Sequence, residues 1–149
     1  KRDMPDVLAA MVLSQHRKYP DGLLAERKRV FDFYNDSFSK YEWALCPLFI
    51  KTGCSSSYHI YPLRIKNINE EKRNAIIQAI TASQVTVNVH FIPLPMLTVF
   101  RHAGYTIDDY PVSYGLYCNE ISLPVYPQLS AEQCSFVVES VIAAVEGKC

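Results

Sequence analysis

Leu24, Phe31 and Phe38 stand seven residues apart, flanked by Leu23, Val30 and Tyr34, while Glu26, Arg27, Lys28 and Arg29 occupy the opposite side. That spacing predicts an amphipathic helix from Leu23 to about Phe38 with a solvated charged face. Upstream, Val7 to Leu13 is apolar all round, which predicts a helix covered on several sides. Pro5 and Asp6 suit its first turn. Between the two, Tyr19-Pro20-Asp21-Gly22 reads as a turn.

Helical periodicity then stops. Tyr41 to Leu45 and Ser57 to Ile65 read as strands, the second by alternation of Tyr58, Ile60, Pro62 and Arg64 with His59, Tyr61, Leu63 and Ile65. Pro62 argues for an edge or a bulge. Asn69 caps a helix over Glu70–Ser83, with Ala75, Ile76, Ala79 and Ile80 at helical spacing. Thr86 to Phe91 reads as a third strand. Residues 92–120 are irregular, with Pro93, Pro95, Gly104, Pro111 and Gly115, and with short helices near 97–102 and 111–119. So long an irregular stretch in a compact domain is often functional. Ser130-Ala131-Glu132-Gln133 forms a capping box that opens a last helix to about Val145. The order predicts an α+β fold, a small sheet with helices on one face.

At 149 residues the chain is one domain, or one piece of a larger protein. It opens on Lys1-Arg2-Asp3 without a methionine and runs almost at once into a helix, so we expect the natural start well upstream. Fifteen basic and fifteen acidic side chains leave no field to attract nucleic acid or an anionic membrane. No run approaches the ~18 apolar residues of a membrane helix, and nothing resembles a signal peptide. Cys46, Cys54, Cys118, Cys134 and Cys149 are odd in number and match no zinc spacing, which reads as reduced thiols in a cytoplasmic protein.

Phosphate-cradling glycine motifs, G-x-S-x-G and H-E-x-x-H are all missing. His16, His59, His90 and His102 share no metal-binding spacing. His59, mid-strand among aromatics, reads as a core histidine, and His102 as exposed. His90 ends a strand just before the irregular stretch, where it either faces a pocket or serves as a structural hydrogen bonder. Phe91, Phe100, Tyr105, Tyr110, Tyr114, Tyr117 and Tyr126 could line a sugar-binding surface, but packing of a loop-rich region is the simpler expectation.

Four segments, in order, resemble the DegT/DnrJ/EryC1/StrS family of PLP-dependent sugar aminotransferases. They are Met4-Pro5-Asp6-Val7-Leu8-Ala9-Ala10 with Gln15, Tyr58-His59-Ile60-Tyr61, Val89-His90-Phe91-Ile92-Pro93-Leu94, and Ser122-Leu123-Pro124-Val125-Tyr126-Pro127. Ala25-Glu26-Arg27 and the helix from Ser130 to Val145 fit the same pattern. The resemblance implies a fold-type-I transferase of which this chain is the C-terminal part. Residues 1–40 would be a helical segment linking to an upstream large domain, and residues 41–149 the α+β domain.

It further implies pyridoxal 5'-phosphate (PLP) as cofactor, with the Schiff-base lysine and the aspartate facing the pyridinium nitrogen both upstream. No catalytic residue and no metal ligand is then expected in this chain, which alone would not transaminate. Lys1 matches the family position that reaches across a homodimer toward the neighbour's PLP phosphate, and Arg2 follows it. His90 matches the first histidine of a substrate-pocket motif whose second histidine is Pro95 here. Leu8 replaces a residue that is usually small or an amide. The implied reaction moves an amino group from glutamate to a keto nucleotide-sugar, for surface polysaccharide or antibiotic sugar synthesis. Two other readings stay open: a relative that uses PLP for dehydration or has lost activity, and a non-catalytic oligomerisation or regulatory domain.

Overall fold

The computed structural model describes residues 4–48 and 54–148, and in it the chain is α+β, as expected. Helix α1 (Asp6–Lys18) runs through a π-helical turn (Tyr19–Leu23) directly into α2 (Leu24–Phe38). Strands β1 (Ala44–Leu45) and β2 (Tyr61–Ile65) follow, then α3 (Glu70–Ala82). The short helices α4 (Thr98–His102) and α5 (Pro111–Tyr117) lead to β3 (Glu120–Leu123), and α6 (Ala131–Glu146) closes the fold.

The turn expected at Tyr19–Gly22 is thus not a reversal. Pro20 has no N–H to give a regular helix, and the wider turn absorbs it: the Leu24 N–H reaches back to the Tyr19 carbonyl. The helix caps formed as read. The Asn69 side chain accepts from the Lys72 N–H at 2.9 Å. Ser130 and Gln133 complete the reciprocal box at the start of α6.

The antiparallel sheet has the order β1-β2-β3, so Pro62 lies in the central strand and not on an edge. Hydrogen bonding explains why it is tolerated. The Ile65 N–H donates to Asn119 at 2.9 Å and the Lys66 N–H to Trp43 at 2.8 Å. In the register Ala44↔Ile65 and Pro62↔Ser122, these bonds turn the missing N–H of Pro62 away from β3, toward the β1 side. Extending β1 would set Pro47 opposite Pro62, two residues with no proton to exchange, and β1 stops at Leu45. The expected strand at Thr86–Phe91 contracts to one bridge, with the Asn88 and Ser122 backbones exchanging bonds of 3.1 and 2.7 Å.

One sheet face is helical. Tyr61, Leu63, Ile65, Ile121 and Leu123 pack there with Val30, Phe31, Tyr34 and Phe38 of α2, Ile76 and Ile80 of α3, and Val137, Val141 and Val145 of α6. The buried phenols are satisfied: Tyr34 donates to Pro124 O at 3.0 Å and Tyr61 to Asn35 Oδ1 at 2.8 Å. Burial raises both hydroxyls far above the usual phenol range.

Two large apolar surfaces stay open. Val7, Leu8, Met11, Val12 and Leu13 of α1 are exposed, so no described residue supplies the cover expected for that helix. Beyond residue 90, Phe91, Tyr105, Tyr110 and Tyr114 are exposed rather than packed, because no described element forms a second layer above the short helices there. No helix among the described residues is long and apolar enough to cross a membrane.

Candidate functional site

Pro62, Arg64, Glu120 and Ser122 point to the sheet face away from the helices, since residues two apart in a strand share a face. The Asn88–Ser122 bridge lays the following residues against that face. Asn88 Oδ1 accepts the Val89 N–H at 2.8 Å, and Pro93 and Pro95 prevent further strand pairing. His90 is therefore held over β3.

Three polar side chains converge there. The His90 backbone N–H donates to Glu120 Oε2 at 3.0 Å. His90 Nδ1 lies 2.8 Å from Ser122 Oγ, and the Ser122 hydroxyl donates to Glu120 Oε1. Glu120 and Ser122 are each 4% exposed, whereas the His90 ring is half-buried and its Nε2 bonds to no described residue. The His90–Phe91 peptide bond is cis.

A second buried set braces this one. Arg73 of α3 is 1% exposed, and its Nη1 donates to the carbonyls of Tyr117 at 3.2 Å and Glu120 at 3.4 Å. Its Nη2 lies 3.5 Å from Glu70, and the guanidinium stacks 4.7 Å from the centre of the Tyr117 ring. The Tyr117 hydroxyl donates to Glu70 Oε1 at 2.9 Å.

The two sets wall a cleft of about 380 Å³ lined by Pro47, Pro62, Arg64, His90, Tyr117 and Glu120, with Phe91, Ser113 and Leu116. Arg64 is half-buried and has no ion-pair partner among the described residues. The cleft thus offers an imidazole edge, a cation and aromatic surface, a combination suited to a polar ligand bearing hydroxyl or anionic groups. A groove of about 760 Å³ beside Leu8, Met11 and Pro127 is larger but mainly apolar.

Burial holds the Glu120 carboxyl above the usual carboxylate range, against the lowering influence of Ser122, the His90 N–H and Arg73. A raised group contributes fully to folding below its unfolded pKa and loses that contribution as pH rises through its folded one. Glu120→Gln does not titrate. Wild type is therefore expected to lose stability relative to this variant as pH climbs from the ordinary glutamate range through the raised one. Denaturant midpoints of the two proteins, compared across that window, should diverge; a constant gap would mean that the carboxyl keeps its ordinary proton affinity.

Of the residues singled out from sequence, His90 lies in the cleft, while Pro95 sits in a 3-10 turn (Leu94–Met96) and is not among the cleft residues. Lys1 and Arg2 lie outside the described residues. His59 is exposed rather than core, because β2 begins only at Tyr61 and the alternation does not reach back to it. His102 is exposed as expected. Sequence reading gave no role to Glu120, Arg64 or Arg73, named Ser122 only within a family-like segment, and named Tyr117 only among the aromatics that could line a sugar-binding surface, where Tyr117 and Phe91 do line the cleft. A carboxylate and a hydroxyl two apart, next to Ile121 and Leu123, were the available signal.

The DegT/DnrJ/EryC1/StrS aminotransferase family matches residues 1–142. Spr1654 of Streptococcus pneumoniae, assigned as a sugar aminotransferase, is 32% identical in its PLP form, with a TM-score of 0.94 over 99% of this chain and 37% of its own. MJ1066, an uncharacterised protein of Methanocaldococcus jannaschii, is 32% identical over 95% of this chain and 36% of its own length. The spore coat polysaccharide biosynthesis protein SpsC of Bacillus subtilis is 27% identical over 99% of this chain and 38% of its own. This chain thus spans little more than a third of the length of these relatives, and the match is to their C-terminal part.

Proposed function

The chain belongs to the DegT/DnrJ/EryC1/StrS aminotransferase family, and from that premise we propose that it is the C-terminal part of a PLP-dependent aminotransferase. The reaction moves an amino group from glutamate to a keto nucleotide-sugar, for surface polysaccharide or antibiotic sugar synthesis. The observation that carries this reading is the near-complete superposition on Spr1654 in its PLP form. SpsC supports the polysaccharide context.

The described residues do not make a PLP site by themselves: Lys18, Lys28, Lys40, Lys66, Lys72 and Lys148 are all exposed, and none lines the His90 cleft. The Schiff-base lysine and the pyridinium partner belong to an upstream large domain, where PLP supplies an electron sink. This chain alone is inactive. Residues 1–40 form the helical connection and residues 41–149 the α+β domain, although α2 also packs into the core of the latter. The open apolar face of α1 is of the kind that another domain or subunit covers. The assembly is a cytoplasmic homodimer.

In this reading His90 faces the sugar, with Pro95 nearby along the chain where relatives carry a second histidine. Lys1 and Arg2 reach the PLP phosphate of the neighbouring subunit. Alanine at both positions in the full-length protein is expected to raise the PLP dissociation constant by about tenfold or more, since charge-assisted bonds to phosphate are lost. Fluorescence titration of the apoprotein measures this, and unchanged affinity would remove both residues from the cofactor site.

The deciding experiment is the intact mass of the native gene product after incubation with PLP and borohydride reduction. A chain more than twice this size carrying one reduced PLP supports the proposal. A chain near 17.0 kDa without adduct overturns it in favour of a non-catalytic assembly domain.

A further inference from the structure

We propose that Ser122 and Glu120 are positioning residues that fix the tautomer of His90, so that its Nε2 enters the cleft without a proton and accepts a hydrogen bond from a hydroxyl of the substrate. The proposal deepens the reading of His90 as a sugar-facing residue and rests on it.

The argument is a count of protons. The His90 backbone N–H can only donate, and it engages Glu120 Oε2 at 3.0 Å. With Glu120 ionised both of its oxygens can only accept, so the Ser122 hydroxyl directs its one proton to Glu120 Oε1. Its oxygen can therefore only accept from the ring nitrogen 2.8 Å away, so His90 Nδ1 carries the proton. A neutral imidazole has one such proton, which leaves Nε2 bare. The burial of Glu120 and Ser122 makes the arrangement firm, because a buried polar group left unpaired is costly. Nε2 bonds to no described residue, and the ring lines the cleft with Arg64 and Tyr117. A sugar hydroxyl is a donor of the required kind.

The same count gives a sharp test. In Glu120→Gln the backbone N–H of His90 still demands an acceptor, so the amide oxygen turns to it and the amide nitrogen turns to Ser122. Ser122 then accepts from the amide, and its hydroxyl proton, with Glu120 no longer an acceptor, turns to Nδ1, which moves the ring proton to Nε2. One isosteric substitution converts the cleft-facing nitrogen from acceptor to donor.

Selective ¹⁵N-histidine labelling of the full-length, unliganded protein reads the tautomer directly, with His90→Gln identifying the signals. Wild type should show a protonated Nδ1 and a bare Nε2, and E120Q the reverse. Ser122→Ala should release the ring to a mixed state, and Ser122→Thr should retain the wild-type signature, which keeps the test decisive if E120Q does not fold. A wild-type ring protonated at Nε2, or variants that leave the signals unchanged, would overturn the proposal.

The substrate half is tested with glutamate and a UDP-linked keto-hexose. E120Q should raise KM for the sugar about tenfold, with a smaller effect on kcat. A hydroxyl can also turn to accept from a protonated Nε2, so the deciding control is His90→Ala: an unmoved KM in both variants would overturn the placement of His90 at the sugar while leaving the hydrogen-bond assignment standing. The tautomer result does not depend on the borohydride experiment and the KM result does, so the failure of one reading is distinguishable from failure of the other.

Discussion

Phe31→Ala is expected to destabilise the protein by about 4 kcal/mol, in the range of buried phenylalanine truncations. The side chain is 1% exposed and meets the rings of Tyr58 and Tyr61 edge-on, with centroids 5.1 and 5.0 Å away. Tyr61 in turn meets Tyr34 at 5.0 Å, and Tyr34 meets Phe38 at 6.1 Å. These rings join α2 to β2, so the cavity would open where the helix and the sheet share one core. The neighbours cannot close over it easily, because Tyr61 is tethered to Asn35 and Tyr34 to Pro124 by their hydroxyls. Denaturant unfolding of the variant measures the loss. A change below about 0.5 kcal/mol, the scale of surface substitutions, would show that α2 contributes little to the fold.

Arg73→Leu is expected to cost about 3 kcal/mol, toward the lower end for breaking a buried charged contact because Glu70 remains partly in solvent. Leucine fills much of the volume but leaves the Tyr117 and Glu120 carbonyls without their donor. Arg73→Lys should recover little, since an ammonium cannot both fork to two carbonyls and stack on the Tyr117 ring. Both variants should also widen the distribution of His90 environments, as Arg73 braces the backbone that carries Glu120. Unfolding midpoints together with ¹⁵N-histidine spectra would check this. Wild-type stability in Arg73→Leu would mean that the guanidinium offers no more than an apolar filler.

The helices were legible because their signals are local. Asn69 and Lys72, or Ser130 and Gln133, lie within one turn of each other, and the sequence states both partners at once. The sheet was less so. Glu120–Leu123 alternates polar with apolar residues over only four positions before Pro124, too short a run to mark a strand by itself. Thr86–Phe91 does alternate, yet it has only Asn88 against β3. Tyr19–Gly22 misled because proline and glycine favour a turn locally, whereas the helix continues at the cost of one wider turn. The site divides in the same way. His90 could be picked out from its place at a strand end and from the family resemblance. Glu120 and Ser122 lie about thirty residues further on, and only the pairing of Asn88 with Ser122 brings them beneath it.

The facing prolines of the sheet have a consequence for chains that meet while still folding. A strand from another molecule could add to β2 only along the stretch that β1 leaves uncovered. Pro62 presents no proton there, and the chain that would lie opposite it begins with Pro47. Among the described residues, this flank of the central strand is thus chemically blunt toward a foreign edge, and fibrillar stacking through it is disfavoured.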